Sequence, residues 1–262
     1  MRPKYSQKIL LLFFIWFVIL VEIGFAQKSP GTASLLQEAQ QYFDQAQEKE
    51  ALSIYLKVLK QAPDNFDALW HTSLIYARIG YRYDNKTEMR ENYQKALEYA
   101  EQVLKLYPGK GPSHFVYAVA NGRISDISDT QTQIKKSHII KEHAEKAVEL
   151  MPDYAPAWHL LGLWHSKVAN ISSAKKFAAG LISQGVPKGA SNKKAVEYMQ
   201  KAIQLQPEQI LRFKLDLARH YVRAGQNQLA IHTLREVVQI SPKNDIDEWN
   251  LKRAKALLEK LQ

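Results

Sequence analysis

From Pro152 to Ala169 the chain reads Pro-Asp-Tyr-Ala-Pro-Ala-Trp158-His-Leu-Leu161-Gly162-Leu-Trp-His165-Ser-Lys-Val-Ala, and no other stretch constrains the fold as much. A proline stops one helix and an Asp suits the turn or cap that follows. Trp158, Leu161, Gly162 and His165 then fall three and four residues apart, on one face of the next helix. A face that sets an indole beside a bare glycine needs packed neighbours. Flanking helices are expected to supply a groove for Trp158 and to approach most closely at Gly162, burying Trp158, Leu161 and Gly162 at the centre.

The pattern recurs. Ala39, Tyr42, Ala51, Tyr55, Val58 and Pro63 make a first unit. Ser73, Tyr76, Gly80, Ala96, Ala100, Val103 and Pro108 make a second, and Ala118, Asn121, Ala144, Ala147 and Pro152 a third. Gly162, His165, Ala195, Met199, Ala202 and Pro207 make the fourth, and Ala218, Tyr221, Gly225, Ala230, Leu234, Val237 and Pro242 the fifth. These units resemble the tetratricopeptide repeat, whose motif asks for a bulky residue, Leu, Gly and an aromatic at positions 4, 7, 8 and 11. Ala, a large apolar residue, Ala and Pro follow at 20, 24, 27 and 32. In the fourth unit's first helix only His165, at position 11, departs. The resemblance implies an all-α fold, a right-handed α-solenoid of about five antiparallel helix pairs.

Three units carry insertions. Ala96 falls about eleven residues beyond its place in an uninterrupted repeat begun at Phe66, so a long loop or an extended second helix is expected near Tyr81–Lys86. The third unit has a polar insertion from Ser125 to Gln133. The fourth has one from Ile171 to Ala190, in which Ser172–Ser183 reads as a helix capped by Ser172 and stopped at Gly185-Val-Pro187. A final helix over Ile246–Leu261, with Trp249, Leu251, Ala254, Leu257 and Leu258 on one face, would cap the solenoid.

Before the repeats, Arg2, Lys4 and Lys8 precede an apolar run from Ile9 to Val21, 13 residues long, and Gly24 and Ala26 are small. That order predicts a signal peptide over 1–26 cut before Gln27, or an uncleaved anchor, then a linker over 27–33 and the repeat domain over 34–262. Either form puts the repeats on the non-cytoplasmic side, secreted or periplasmic after cleavage or held at the membrane. The net charge of +10 falls to +8 without the first 26 residues. Lysine pairs at 135–136, 175–176 and 193–194 suit solvated faces or an anionic partner.

The chain has no cysteine, which removes disulfides, thiol catalysis and cysteine-ligated metals. No His spacing fits a metal motif: His138 and His143 diverge around a helix, as do His159 and His165, and both pairs read as packing or surface residues. P-loop, nucleophile-elbow and dinucleotide-binding glycine patterns are missing, and Asp126 and Asp129 sit in a polar insertion. The reading is therefore a non-enzymatic binding module without cofactor or metal. No nucleic-acid recognition motif is visible.

A narrower likeness rests on His159-Leu-Leu-Gly162-Leu-Trp164-His-Ser-Lys-Val168-Ala-Asn-Ile-Ser172-Ser-Ala-Lys-Lys176-Phe-Ala and on Ala195-Val-Glu-Tyr-Met-Gln-Lys201-Ala-Ile-Gln-Leu-Gln-Pro207. These runs are similar to the regulator of microtubule dynamics family, a tetratricopeptide domain with an insertion after a His-Leu-Leu-Gly-x-Trp helix. Leu163 and Ser173 depart from its pattern, which has Arg and a large aromatic there. The likeness covers residues 34–262 and implies links to microtubules, organelle membranes and, in part, phospholipids.

In tetratricopeptide folds the first helices line the concave side through positions 2, 5, 9, 12 and 13. Here position 13 is Arg78, Arg123, Lys167 and Arg223 in units two to five. Positions 5 and 9 give Trp70 and Leu74, Phe115 and Val119, His159 and Leu163, Leu215 and Arg219, and Arg212 stands at position 2 of unit five. An apolar floor with exposed Trp70 and Phe115 beside a basic row is expected. Such a groove suits an acidic peptide or protein segment, or else an anionic phospholipid held by the same groove. Cations in a helix's last turn also favour its macrodipole.

Overall fold

The structure, a computed structural model, describes residues 31–174 and 185–262. Among these residues eleven α-helices follow one another and no strand forms: α1 (Thr32–Asp44), α2 (Glu48–Gln61), α3 (Phe66–Arg82), α4 (Lys86–Leu106), α5 (Gly111–Asp126), α6 (Thr130–Leu150), α7 (Ala155–Ala169), α8 (Asn192–Leu205), α9 (Ile210–Arg223), α10 (Asn227–Val237) and α11 (Asp245–Leu261). A 3-10 turn, Pro207–Gln209, leads into α9. The signal segment and most of the Ser172–Ser183 helix expected from sequence lie outside the described residues. Helix α1 begins inside the stretch expected as linker.

Local chemistry sets these boundaries. Asn65, Asn85, Asp129, Ser191 and Asn244 each accept a hydrogen bond from a first-turn backbone N–H, and so cap α3, α4, α6, α8 and α11. Pro112 and Pro156 sit in the first turns of α5 and α7, where a fixed φ fits and no amide hydrogen is missed. Pro63, Pro108 and Pro152 stand just past the ends of α2, α4 and α6.

Helices pack most closely as successive hairpins, α1 with α2 through α9 with α10, and each pair stacks on the next. This is an all-α solenoid of five pairs. Helix α11 closes it by packing on both α9 and α10, covering Leu211, Leu215, Leu234 and Val237 with Ala254 and its neighbours. Trp249 takes no part in that cover. It leaves the capping face and meets Tyr81 edge-to-face at 5.5 Å.

The insertions of the second and third units become largely helix. Both α4 and α6 have 21 residues, against 14 in α2 and α8, and only residues 83–85 and 127–129 remain as connections. Their buried residues explain this. Tyr93, Ala96, Ala100 and Val103 in α4, and Ile134, Ser137, Ile140, Ala144 and Ala147 in α6, keep three-and-four spacing throughout.

Gly162 is fully packed. A Cβ built there would meet Met199 Cγ at 2.8 Å and the Ala195 carbonyl oxygen at 3.2 Å, so α7 and α8 touch backbone to backbone. Leu161 is buried, whereas Trp158 is not central as expected: it is half-buried, donates from Nε1 to the Pro152 carbonyl at 2.7 Å and lies under Lys201 at 3.6 Å. His165 substitutes usefully for an aromatic. Its ring packs on Trp164 and Tyr198, and Nδ1 accepts from the backbone N–H of Ser191, the cap of α8.

Candidate concave binding site

Helices α3, α5, α7 and α9 carry the candidate residues, and their packing does not leave an open apolar floor. Leu74, Phe115, His159 and Leu215 are buried. Phe115 was expected on the exposed side; its ring instead abuts Tyr154 edge-to-face at 5.2 Å. Trp70 is half-buried against His71, with ring centroids 3.5 Å apart, and Nε1 reaches Asp67 at 3.4 Å. Val119 and Leu163 are half-buried.

The row of position-13 cations is largely compensated from within. Arg78 pairs at 3.1 Å with Glu48, the first residue of α2, and Arg82 takes the other oxygen of the same buried carboxylate. Arg123 faces Asp126 at 3.8 Å and lies 4.0 Å over the Tyr81 ring. Lys167 bonds Asp126, and Arg223 donates to Ser166 Oγ at 3.2 Å. Arg219 pairs with Asp216 at 2.7 Å and reaches the Tyr81 hydroxyl at 3.4 Å.

Arg212 differs from all of these. It forms no ion pair among the described residues, and its buried Nε has no hydrogen-bond partner. Burial, and then the nearby Arg78, pull its guanidinium down to about 10, with Arg123 acting in the same sense. Tyr154 lies within reach of the fields of both Arg78 and Arg212, which oppose the upward push of burial on its phenol. Arg123 Nε and His159 Nε2 are buried without hydrogen-bond partners as well. His159 Nε2 stands 3.2 Å from Asp216 but out of line. Burial favours the neutral imidazole. For Asp216 burial acts upward, yet His159 and Arg219 hold it well below the usual carboxylate range. The buried Nε atoms of Arg212 and Arg123 are therefore left without an acceptor, with each guanidinium in the other's field.

Sequence reasoning included Arg212 but missed Glu48, Tyr81, Tyr154 and Asp216. Asp216 had a local signal, since it falls four after Arg212 and three before Arg219 on one face. The others come from different pairs and had none. Among the described residues no group of three metal-ligating side chains forms. His143 does meet a second histidine: its Nδ1 is 2.8 Å from His114 Nδ1, and His114 Nε2 donates to the Pro108 carbonyl at 2.8 Å, so with both rings neutral the His143 Nδ1–H is the donor between them.

A family model described as Regulator of microtubule dynamics protein 1-3 matches residues 35–262. The chain belongs to the regulator of microtubule dynamics family. The match begins three residues into α1 and takes in the other ten helices and every candidate site residue. Regulator of microtubule dynamics protein 1 of Bos taurus is 28% identical over 74% of this chain and 61% of its own length. Regulator of microtubule dynamics protein 3 of Xenopus laevis is 25% identical over 72% of this chain and 41% of its own. The chain thus spans about three fifths or less of these relatives. A thermophilic tetratricopeptide-repeat protein of Thermus thermophilus superposes with a TM-score of 0.60 at 17% identity, covering 86% of this chain and all of that one, which shows the shared solenoid fold.

Proposed function

We propose that this member of the family is a non-enzymatic scaffold that captures an acidic protein segment on its concave side. The tetratricopeptide fold supports protein binding as the general role. The observation that carries the acidic preference is Arg212, a half-buried residue whose buried Nε has no hydrogen-bond partner, beside Arg78 and Arg123. A carboxylate seated there would gain charge-assisted hydrogen bonds without displacing an internal partner.

Binding of a fluorescein-labelled oligoglutamate peptide, followed by anisotropy, tests this. Arg212→Gln is expected to weaken capture roughly tenfold to a hundredfold, the worth of one or two hydrogen bonds to a charged group, and to flatten the salt dependence. Equal affinity in wild type and variant sinks the reading. Capture of anionic phospholipid vesicles with no peptide binding replaces it with lipid carriage in the same groove.

The order of basic, apolar and small residues over 1–26 supports delivery of the repeats across a membrane. Among the described residues no helix is long and apolar enough to cross one. The relatives' names concern microtubule dynamics and do not point to secretion. N-terminal sequencing of the native protein decides: the expected first residue is Gln27, and recovery of Met1 in the membrane fraction supports an anchor.

A further inference from the structure

The third pair brings together two histidines that stand 29 residues apart, too far for any ligand spacing in the sequence to mark them. His114 lies in the first turn of α5 and His143 in the second half of α6. Their ring centres are 5.0 Å apart, and Nδ1 faces Nδ1 at 2.8 Å. Both residues are half-buried. The His114 Nε2–H donates to the Pro108 carbonyl at 2.8 Å, which leaves a neutral His114 with its lone pair on Nδ1, turned toward the other ring. A backbone carbonyl behind an imidazole fixes the tautomer and orientation of a metal ligand in the same way. Tyr117 packs edge-on against His143 at 4.7 Å. Burial, and then His114, push His143 below its ordinary value, while the Glu142 carboxylate acts in the opposite sense. His143 is thus a neutral donor at pH 7, beside a carboxylate whose field favours a cation.

We propose that His114 and His143 form a two-imidazole chelate for copper(II), bound through the two Nδ1 atoms. The site is independent of the concave groove. Nitrogens 2.8 Å apart subtend about 90° at an ion held by bonds of about 2.0–2.1 Å. That is the cis angle of a square-planar or tetragonal centre and is narrower than the tetrahedral angle of zinc, so the geometry favours copper(II) or nickel(II). Of the divalent first-row ions copper(II) binds nitrogen donors most tightly. Among the described residues no hydrogen bond reaches His143 Nε2, so the proton on its Nδ1 can move there. The ion then replaces one N–H···N bond without net release of a proton, and a modest turn of the rings brings both lone pairs onto it. The remaining positions are left to water or a small exchangeable ligand, and the bound ion ties α5 to α6.

Copper(II) added to the full chain at pH 7, at up to one equivalent, tests the site by electron paramagnetic resonance. The expected spectrum is that of a single tetragonal copper coupled to two imidazole nitrogens. His114→Ala and His143→Ala should each weaken binding about a hundredfold, the advantage of two linked donors over one, and should each remove one nitrogen coupling. In thermal melts the ion is expected to raise the midpoint of the wild type and to leave both variants unmoved. His232→Ala, at an exposed histidine beside Glu236, should bind copper as the wild type does. No tetragonal signal in the wild type, coupling to fewer than two nitrogens, or undiminished binding in both variants overturns the chelate. Should either alanine variant fail to fold by circular dichroism, the nitrogen count in the wild type and in His232→Ala decides alone.

Discussion

Glu48 is buried, with two arginines from the next repeat closing on its carboxylate. Glu48→Gln should leave Arg78 and Arg82 facing a neutral amide and cost about 2–3 kcal/mol, read as a lowered urea midpoint. Arg78→Gln should cost less, because Arg82 keeps the carboxylate satisfied. Two buried histidines give a pH dependence. Burial holds both His71 and His165 down to about 4, below the value of about 6.5 expected in the unfolded chain. The unfolded state therefore takes up protons first as the pH falls. Stability is complete above about pH 6.5 and declines toward pH 4, by at most about 3 kcal/mol for each ring. Thermal melts at pH 7 and pH 5 check this, and an equal or higher melting temperature at pH 5 would contradict it. The small residues at Ala39, Ala96, Gly162 and Ala218 were legible in the sequence because their requirement is local: each stands where a helix crosses its neighbour. Glu48 was not, since its partners lie 30 and 34 residues away and nothing in its own surroundings marks it as buried. Phe115 was read as exposed for the same reason. Which side of a helix faces a groove depends on the neighbouring pair, here on Tyr154.

At the scale of elements, pairing rests on close approach. Gly162→Leu must push Met199 and the α8 backbone away and should destabilise by roughly 1–3 kcal/mol. Combining it with Met199→Ala should recover part of that loss, because the same space is then vacated, and a double-mutant cycle measures the coupling. Strict additivity would place the clash elsewhere. The insertions show what periodicity conveys at this scale and what it does not. The apolar spacing that lengthened α4 and α6 was present in the sequence, but a polar stretch such as Ser125–Gln133 reads equally as loop until Asp129 is seen accepting from the Thr132 N–H and opening α6.

For the whole molecule, stability in a stacked array is approximately a sum over pairs and their interfaces. Deleting residues 243–262 uncovers Leu211, Leu215, Leu234 and Val237. Amides of α9 and α10 should then exchange at nearly unfolded rates, while those of α3 and α4 remain protected, as hydrogen exchange followed by mass spectrometry can resolve. Uniform protection across the truncated chain would show that the last pair needs no cap.

Nearly all of the packing joins segments adjacent in the sequence, and the junction between Tyr81 and Trp249 is the conspicuous exception. Hairpins of neighbouring helices can form as soon as they leave the ribosome, whereas this contact waits until almost the entire chain has been made and then costs the closure of a very long loop. Its formation belongs late in folding, so Tyr81→Ala should leave the refolding rate nearly unchanged and appear mainly in the unfolding limb of the chevron. During synthesis the nascent protein consequently passes through an interval in which the helix hairpins are already stacked while Tyr81 still waits for Trp249 to emerge.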